Sequence, residues 1–293
     1  MSLILKRQNL LEDGKTIFMS KILVVGGNGY IGSHMRRDCP DFLYIGREEF
    51  DLRNKEEILH YCKPLDISMC IILSSSISYE KQVNFNDEPF STNLIGLNNL
   101  LDVLQESHPH VHIVYFSSMT VYSDNNASPV LESSDLNPLH TYGLSKVYAE
   151  SLIKYYDFHS VIIRIPGIYG GSRKSGLIYN SIQKLKNNEE IIIDTSNLGY
   201  WETMHIDDML DMFNTLLKTY TFTSKFEVFN ISYGEKTDII DMLHFMSDAL
   251  HSKSKIYVEK KYKDLYLSNK KISSYTKKQT SFYDKLLDYI KEL

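Results

Sequence analysis

Short apolar runs rich in β-branched residues recur along the chain at residues 21–25, 42–45, 69–73, 112–116 and 161–165. Between them stand longer stretches whose apolar positions repeat every three to four residues, as at 94–106 and 145–156. The first pattern predicts strands buried on both faces, the second amphipathic helices. Strands alternating with helices build right-handed βαβ units, so the expectation is an α/β chain with a doubly wound parallel sheet. After residue 170 the pattern loosens. Gly170, Gly171 and Gly176 mark turns, and isolated strands are expected only at 190–194 and 226–231. This divides the chain into an extension over 1–18, a main domain over 19–170 and a smaller lobe over 171–293. The lobe closes a cleft over the strand ends, and parts near 200–232 return to the main sheet.

Composition narrows the classes of function. The chain has 293 residues, 43% of them hydrophobic, enough for one large domain or a domain with a smaller partner. A net charge of −5 and no basic run interleaved with aromatics argue against a nucleic-acid partner. Cys39, Cys62 and Cys70 form no CxxC pair, which fits reduced thiols in a cytoplasmic protein. Ten histidines fall without ligand spacing, so no metal site is expected. No apolar run approaches the ~20 residues of a membrane span. Lys6, Arg7, Glu12 and Asp13 interrupt the first eighteen residues, which read as an extension outside the fold rather than a secretory signal.

Three constellations carry chemistry. Gly26, Gly27, Gly29 and Gly32 follow the first strand directly, and a helical stretch begins at Tyr30 and Ile31. Glycines there permit a tight turn and bring free N–H groups and the helix dipole to a pyrophosphate, although a glycine-rich turn without a ligand has the same letters. About 20 positions beyond the first glycine, NAD-binding versions place an acid that holds the ribose 2′-hydroxyl. Here that place holds Gly46 followed by Arg47. A guanidinium can bind a 2′-phosphate through a fork of donors, so NADP(H) is favoured, with NAD(H) possible. The plain reading of Arg47 is a solvated loop charge. Finally, Tyr142 and Lys146 lie four apart on one helix face, where an ammonium favours the phenolate and brings a tyrosine toward the working pH range. Ser118 ends the strand upstream of them, where its hydroxyl can meet a substrate oxygen, although a serine after a strand is also an ordinary turn former.

With these motifs in order, the chain resembles the extended short-chain dehydrogenase/reductases of the NAD-dependent epimerase/dehydratase kind. The resemblance runs from Lys21 to Tyr169 and more thinly beyond, through Gly26 to Gly32, Leu73-Ser74-Ser75, Asn93, Ser118 to Tyr122, Tyr142 with Lys146, and Arg164 to Gly170. It implies a Rossmann domain followed by a substrate-binding lobe. It makes Tyr142 the acid or base on a sugar oxygen, Lys146 the holder of the nicotinamide ribose, and Ser118 the group that orients the reacting oxygen. Leu73, Ser74, Ser75, Asn93 and Pro166 then face the dinucleotide, with Asp51 and Leu52 beside its adenine. It also implies a nucleotide-sugar substrate and a homodimer built on helices near 94–106 and 145–156.

Departures from the family pattern select among reactions. Dehydratases carry an Asp-Glu pair after the catalytic Ser or Thr, and here Met119 and Thr120 stand in that place among the candidate substrate contacts. Ring epimerases similar to fucose synthases carry a Cys at the position of Met119 and a His just beyond the segment that Tyr169 opens, and residues Tyr169 to Lys174 offer no His. What remains is one hydride transfer with one proton transfer. The expected activity is NADPH-dependent reduction of the 4-keto group of a nucleotide-linked 4-keto-6-deoxy sugar for a bacterial surface polysaccharide (O-antigen or capsule). An NAD-dependent 4-epimerase is the alternative, and a non-catalytic NADP-binding regulator is a third reading that the presence of Tyr142, Lys146 and Ser118 disfavours. Trp201 occupies a place where an Arg often binds nucleotide phosphates in the family, so either Arg173 and Lys174 supply that charge or the substrate lacks a diphosphate.

Overall fold

The computed structural model describes residues 20–78, 88–196, 199–277 and 280–293. The extension expected over 1–18 lies outside the described residues. Six strands form one wholly parallel sheet in the order β2-β1-β3-β4-β5-β9. They are β1 (Lys21–Val25), β2 (Leu43–Ile45), β3 (Ile67–Ile72), β4 (His112–Ser118), β5 (Ser160–Ile165) and β9 (Phe226–Asn230). Alternation along each strand feeds two cores. Leu23 and Val25, with Cys70 and Ile72, face the layer of α2 (Lys55–Cys62), α4 (Leu97–Ser107) and α5 (Thr141–Tyr155). Val24, Met69 and Ile71 face the opposite layer of α1 (Tyr30–Asp38) and α7 (Ile206–Thr219). Burial on both faces is why these strands read as continuous apolar runs rather than as alternating ones.

The strand order reverses between β1 and β3, and at such a switch point a crevice opens beyond the carboxyl ends of the strands. The remaining elements close over that end. The strand β6 (Gly167–Tyr169) pairs with β8 (Thr203–His205), and β7 (Ile191–Asp194) pairs with β10 (Ile256–Glu259). The helices α6 (Leu177–Lys186), α8 (Ile239–Ala249) and α9 (Phe282–Glu292) share a separate core around Ile182, Met246 and Phe282. Residues 203–231, although late in the chain, supply α7 and β9 to the main body.

Two elements begin elsewhere than the periodicity predicts. The helix expected from 145 starts at Thr141, because the His140 ring caps it by accepting from Gly143 N–H at 3.3 Å. The helix expected over 94–106 is preceded by α3 (Glu88–Phe90) and a π-helical turn over Ser91–Gly96. Among the described residues no helix is long and apolar enough to cross a membrane, and no cluster of His, Cys, Asp and Glu could hold a metal.

Candidate active site

The glycine loop is built by contact rather than by flexibility alone. A Cβ on Gly26 would stand 2.5 Å from Ser74 N, and its φ of +88° disfavours any other residue. On Gly32 a Cβ would meet Gly27 O at 2.6 Å, so the first helix packs directly on the turn. Gly29 begins α1 without a side-chain cap, and no acid stands in the first turn. Its N–H groups and the positive end of its dipole are therefore left to an anion in the cleft that Gly29, Tyr30, Ile31 and Gly32 line. These residues fit the pyrophosphate of a dinucleotide.

The cleft has a volume of about 1800 Å³ and runs from this loop toward the lobe. Arg47, Asp51, Leu52, Leu73, Ser74, Ser75, Pro166, Ser118, Met119, Thr120, Tyr142, Lys146, Arg173 and Trp201 all line it. The sequence candidates thus converge on one space, with Asn93 as the exception. Asn93 is buried beside the cleft, and its amide is spent on protein groups. Its Oδ1 accepts from Ser76 N–H at 2.8 Å, and its Nδ2 donates to Ser76 O and to Ser145 Oγ, both at 2.9 Å. Ser145 Oγ in turn donates to Tyr142 O at 2.8 Å. In this structure Asn93 thus braces the loop after β3 against the first turn of α5. Asn93 lies within the π turn.

Lys146 is 1% exposed, a rare state for a lysine. Its Nζ donates to Phe116 O at 2.8 Å and lies 4.5 Å from the Tyr115 ring centroid and 5.7 Å from that of Tyr142. Burial pulls its pKa down to about 7, and the charge of Glu150, one turn along α5, opposes that fall. Glu150 is itself held by Arg164, with Nη2 at 2.6 Å and Nε at 3.0 Å, and by Ser117 Oγ at 2.5 Å. This buried pair ties α5 to β4 and β5 at the strand ends that carry the site. Ser118 Oγ accepts from Thr120 N–H at 3.2 Å and lies 3.0 Å from Thr120 Oγ1, and it faces the cleft. Met119 is buried and carries no titratable proton.

Asp51 is held by Arg53, whose hydrogen bonds bring the carboxyl down to about 2. Trp201 lines the cleft and also packs edge-on against Phe282, with centroids 6.5 Å apart, so it serves the lobe core as well. Arg173 donates to Ile168 O at 3.0 Å, which fixes its guanidinium near the Tyr30 ring.

Several cleft residues escape sequence reasoning. Lys261 and Lys263 line it from either side of buried Tyr262, and an alternation in an extended Lys-rich stretch is the signal that could have found them. His140 lines it as the cap of α5, and burial lowers its pKa. Glu49 accepts from Gly46 N–H at 2.7 Å, so an acid reaches the end of β2 after all.

Comparison with known proteins agrees with this geometry. The model of the NAD-dependent epimerase/dehydratase family matches residues 22–232. The chain belongs to the NAD-dependent epimerase/dehydratase family. Within that family it is 27% identical over 289 residues to a protein of Methanocaldococcus jannaschii provisionally named UDP-glucose 4-epimerase, covering 86% of this chain and 91% of that one. It is 22% identical over 251 residues to the CDP-paratose 2-epimerase of Salmonella typhi, covering 67% and 74%. Among solved structures, the Bordetella bronchiseptica enzyme WbmG in complex with NAD superposes with a TM-score of 0.78 at 18% identity, covering 96% and 95% of the two chains. The dTDP-glucose 4,6-dehydratase DesIV of Streptomyces venezuelae, with NAD and TYD bound, gives 0.76 at 18%, covering 92% and 96%. At these identities the structural likeness speaks for the shared fold.

Proposed function

We propose that this epimerase/dehydratase-family chain reduces the 4-keto group of a nucleotide-linked 4-keto-6-deoxy sugar with NADPH, in the making of a bacterial surface polysaccharide. The observation that carries the reading is the site's proton inventory. Tyr142, Lys146 and Ser118 line one cleft with the glycine loop, while Met119 fills the place where an additional acid would serve dehydration or ring epimerisation. In this reading Gly29 to Gly32 hold the pyrophosphate, and Asp51, Leu52, Leu73, Ser74 and Ser75 line the rest of the dinucleotide's path. Pro166 lies by the nicotinamide. Arg173 and Lys174, with Lys261 also on the cleft wall, supply charge to the substrate phosphates that Trp201 cannot bind. When bound, the nicotinamide supplies a hydride to the carbonyl carbon. Ser118 donates a hydrogen bond to the carbonyl oxygen and fixes its orientation. Tyr142 passes its phenolic proton to that oxygen as negative charge develops there, and the Lys146 ammonium stabilises the phenolate left behind. A proton from solvent restores Tyr142.

A second reading, reversible 4-epimerisation of a nucleotide hexose with retained NAD, uses the same three residues. It is supported by the 4-epimerase name of the Methanocaldococcus relative and by Glu49 at the end of β2. The experiment that separates them follows the absorbance of NADPH and NADH with a panel of nucleotide 4-keto sugars. Net oxidation of NADPH is expected, and Tyr142→Phe should lower kcat by about a thousandfold or more while cofactor affinity stays within about twofold. Turnover of a UDP-hexose without net cofactor oxidation would move the function to the epimerase.

A further inference from the structure

The strand end after β2 carries charges of both signs, and cofactor choice depends on how they are paired. A Cβ on Gly46 would stand 2.3 Å from Asn28 Nδ2, so the Asn28 amide lies against this glycine. Asn28 therefore closes onto the strand end, where its Oδ1 accepts from Arg36 Nη2 at 3.1 Å. The Arg36 guanidinium is held 4.7 Å from the centroid of the Tyr44 ring. Arg36 thus touches Asn28, and Arg47 follows Gly46 directly in the chain. Arg47 is already engaged. Its Nη2 donates to Glu88 Oε1 at 2.7 Å, joining the end of β2 to the start of α3. Both side chains remain open to solvent, 71% and 53% exposed, and exposed pairs of this kind are weak enough to be exchanged for a better partner.

We propose that Glu88 is a specificity-determining residue for the dinucleotide, competing with the 2′-phosphate of NADP(H) for the Arg47 guanidinium. The inference rests on the reading that Arg47 receives that phosphate. With NADH the ribose carries a neutral hydroxyl and the Arg47–Glu88 pair stays closed. With NADPH, either Glu88 leaves and the pair is lost, or Glu88 stays and its carboxylate repels the phosphate. Both routes lower affinity for the phosphorylated cofactor and leave the other unchanged. The same competition favours release, since Glu88 stands ready to retake Arg47 as the phosphate departs. A reductase that must exchange its cofactor each turnover gains from this, whereas an enzyme that retains its cofactor does not.

The test is equilibrium titration of the full chain with NADPH and with NADH, followed by calorimetry. Glu88→Gln should tighten NADPH about fivefold and leave NADH unchanged. Arg47→Gln should loosen NADPH, and adding Glu88→Gln to it should change nothing further, because the competition needs the guanidinium. Glu56→Gln removes one exposed carboxylate from the neighbouring helix α2 and should leave both affinities alone. The proposal fails if Glu88→Gln tightens both cofactors equally, if its effect persists without Arg47, or if Glu56→Gln reproduces it. The underlying reading fails separately if the wild-type and Arg47→Gln chains each bind NADPH and NADH alike.

Discussion

Asn93 marks the distance between what a residue type suggests and what its neighbours make of it. The Tyr142 and Lys146 pairing is legible in the chain because both ends lie on one helix and four residues fix their face. The role of Asn93 is not legible, because its partners Ser76 and Ser145 stand 17 and 52 positions away and meet it only after folding. Replacing it with Ala leaves Ser76 N–H and Ser145 without their shared partner and frees the first turn of α5. We expect Asn93→Ala to lower kcat about tenfold through misplacement of Tyr142, and to cost about 1–3 kcal/mol of stability. Steady-state kinetics beside denaturant melts would check both. An unchanged kcat in a destabilised chain would reduce Asn93 to a packing residue.

At the scale of elements, the strands were readable because burial on both faces writes itself as apolar runs, and the glycine loop because its spacing serves a turn and a helix start at once. Helix α5 began four residues earlier than periodicity predicts, since its start depends on a histidine cap that carries no apolar signal. The junction of loop and helix is testable through its glycines. Gly26→Ala puts a methyl 2.5 Å from Ser74 N at a positive φ, whereas Gly176 has the same sign of φ with nothing closer than Arg173 at 4.0 Å. Both changes add backbone strain of about 1–3 kcal/mol. The Gly26 change should also weaken dinucleotide binding by about tenfold or more, because the wall formed by Ser74 must move, while Gly176→Ala should leave that affinity within about twofold. Titration with the preferred cofactor distinguishes them.

For the whole molecule, the seam between the main body and the lobe holds a buried carboxyl that sequence could not have flagged. Glu202 is buried just before β8, with Oε2 accepting from Leu267 N–H at 2.8 Å and Oε1 without a partner among the described residues. Burial raises its pKa to about 8. The folded chain therefore holds a proton on Glu202 that the unfolded chain releases near the ordinary carboxyl range. Its stabilising contribution is full below about pH 4.5 and is lost as pH rises through about 8. Glu202→Gln should abolish that loss, so the difference in Tm between variant and wild type should widen in the variant's favour from pH 5 to pH 8. A constant difference across that range would mean that Glu202 is ionised in the fold.

The late segment 203–231 bears on how such chains can change. Because α7 and β9 complete the main sheet after β7 has already entered the lobe, the two halves of the cleft are stitched through one another in the order of the gene. A single crossover near residue 170 would hand a relative's lobe to this body together with a foreign sixth strand, which must match the face of β5 before any new sugar is recognised. Substrate preference in this architecture is therefore more easily altered by point changes along the cleft wall than by exchange of the lobe.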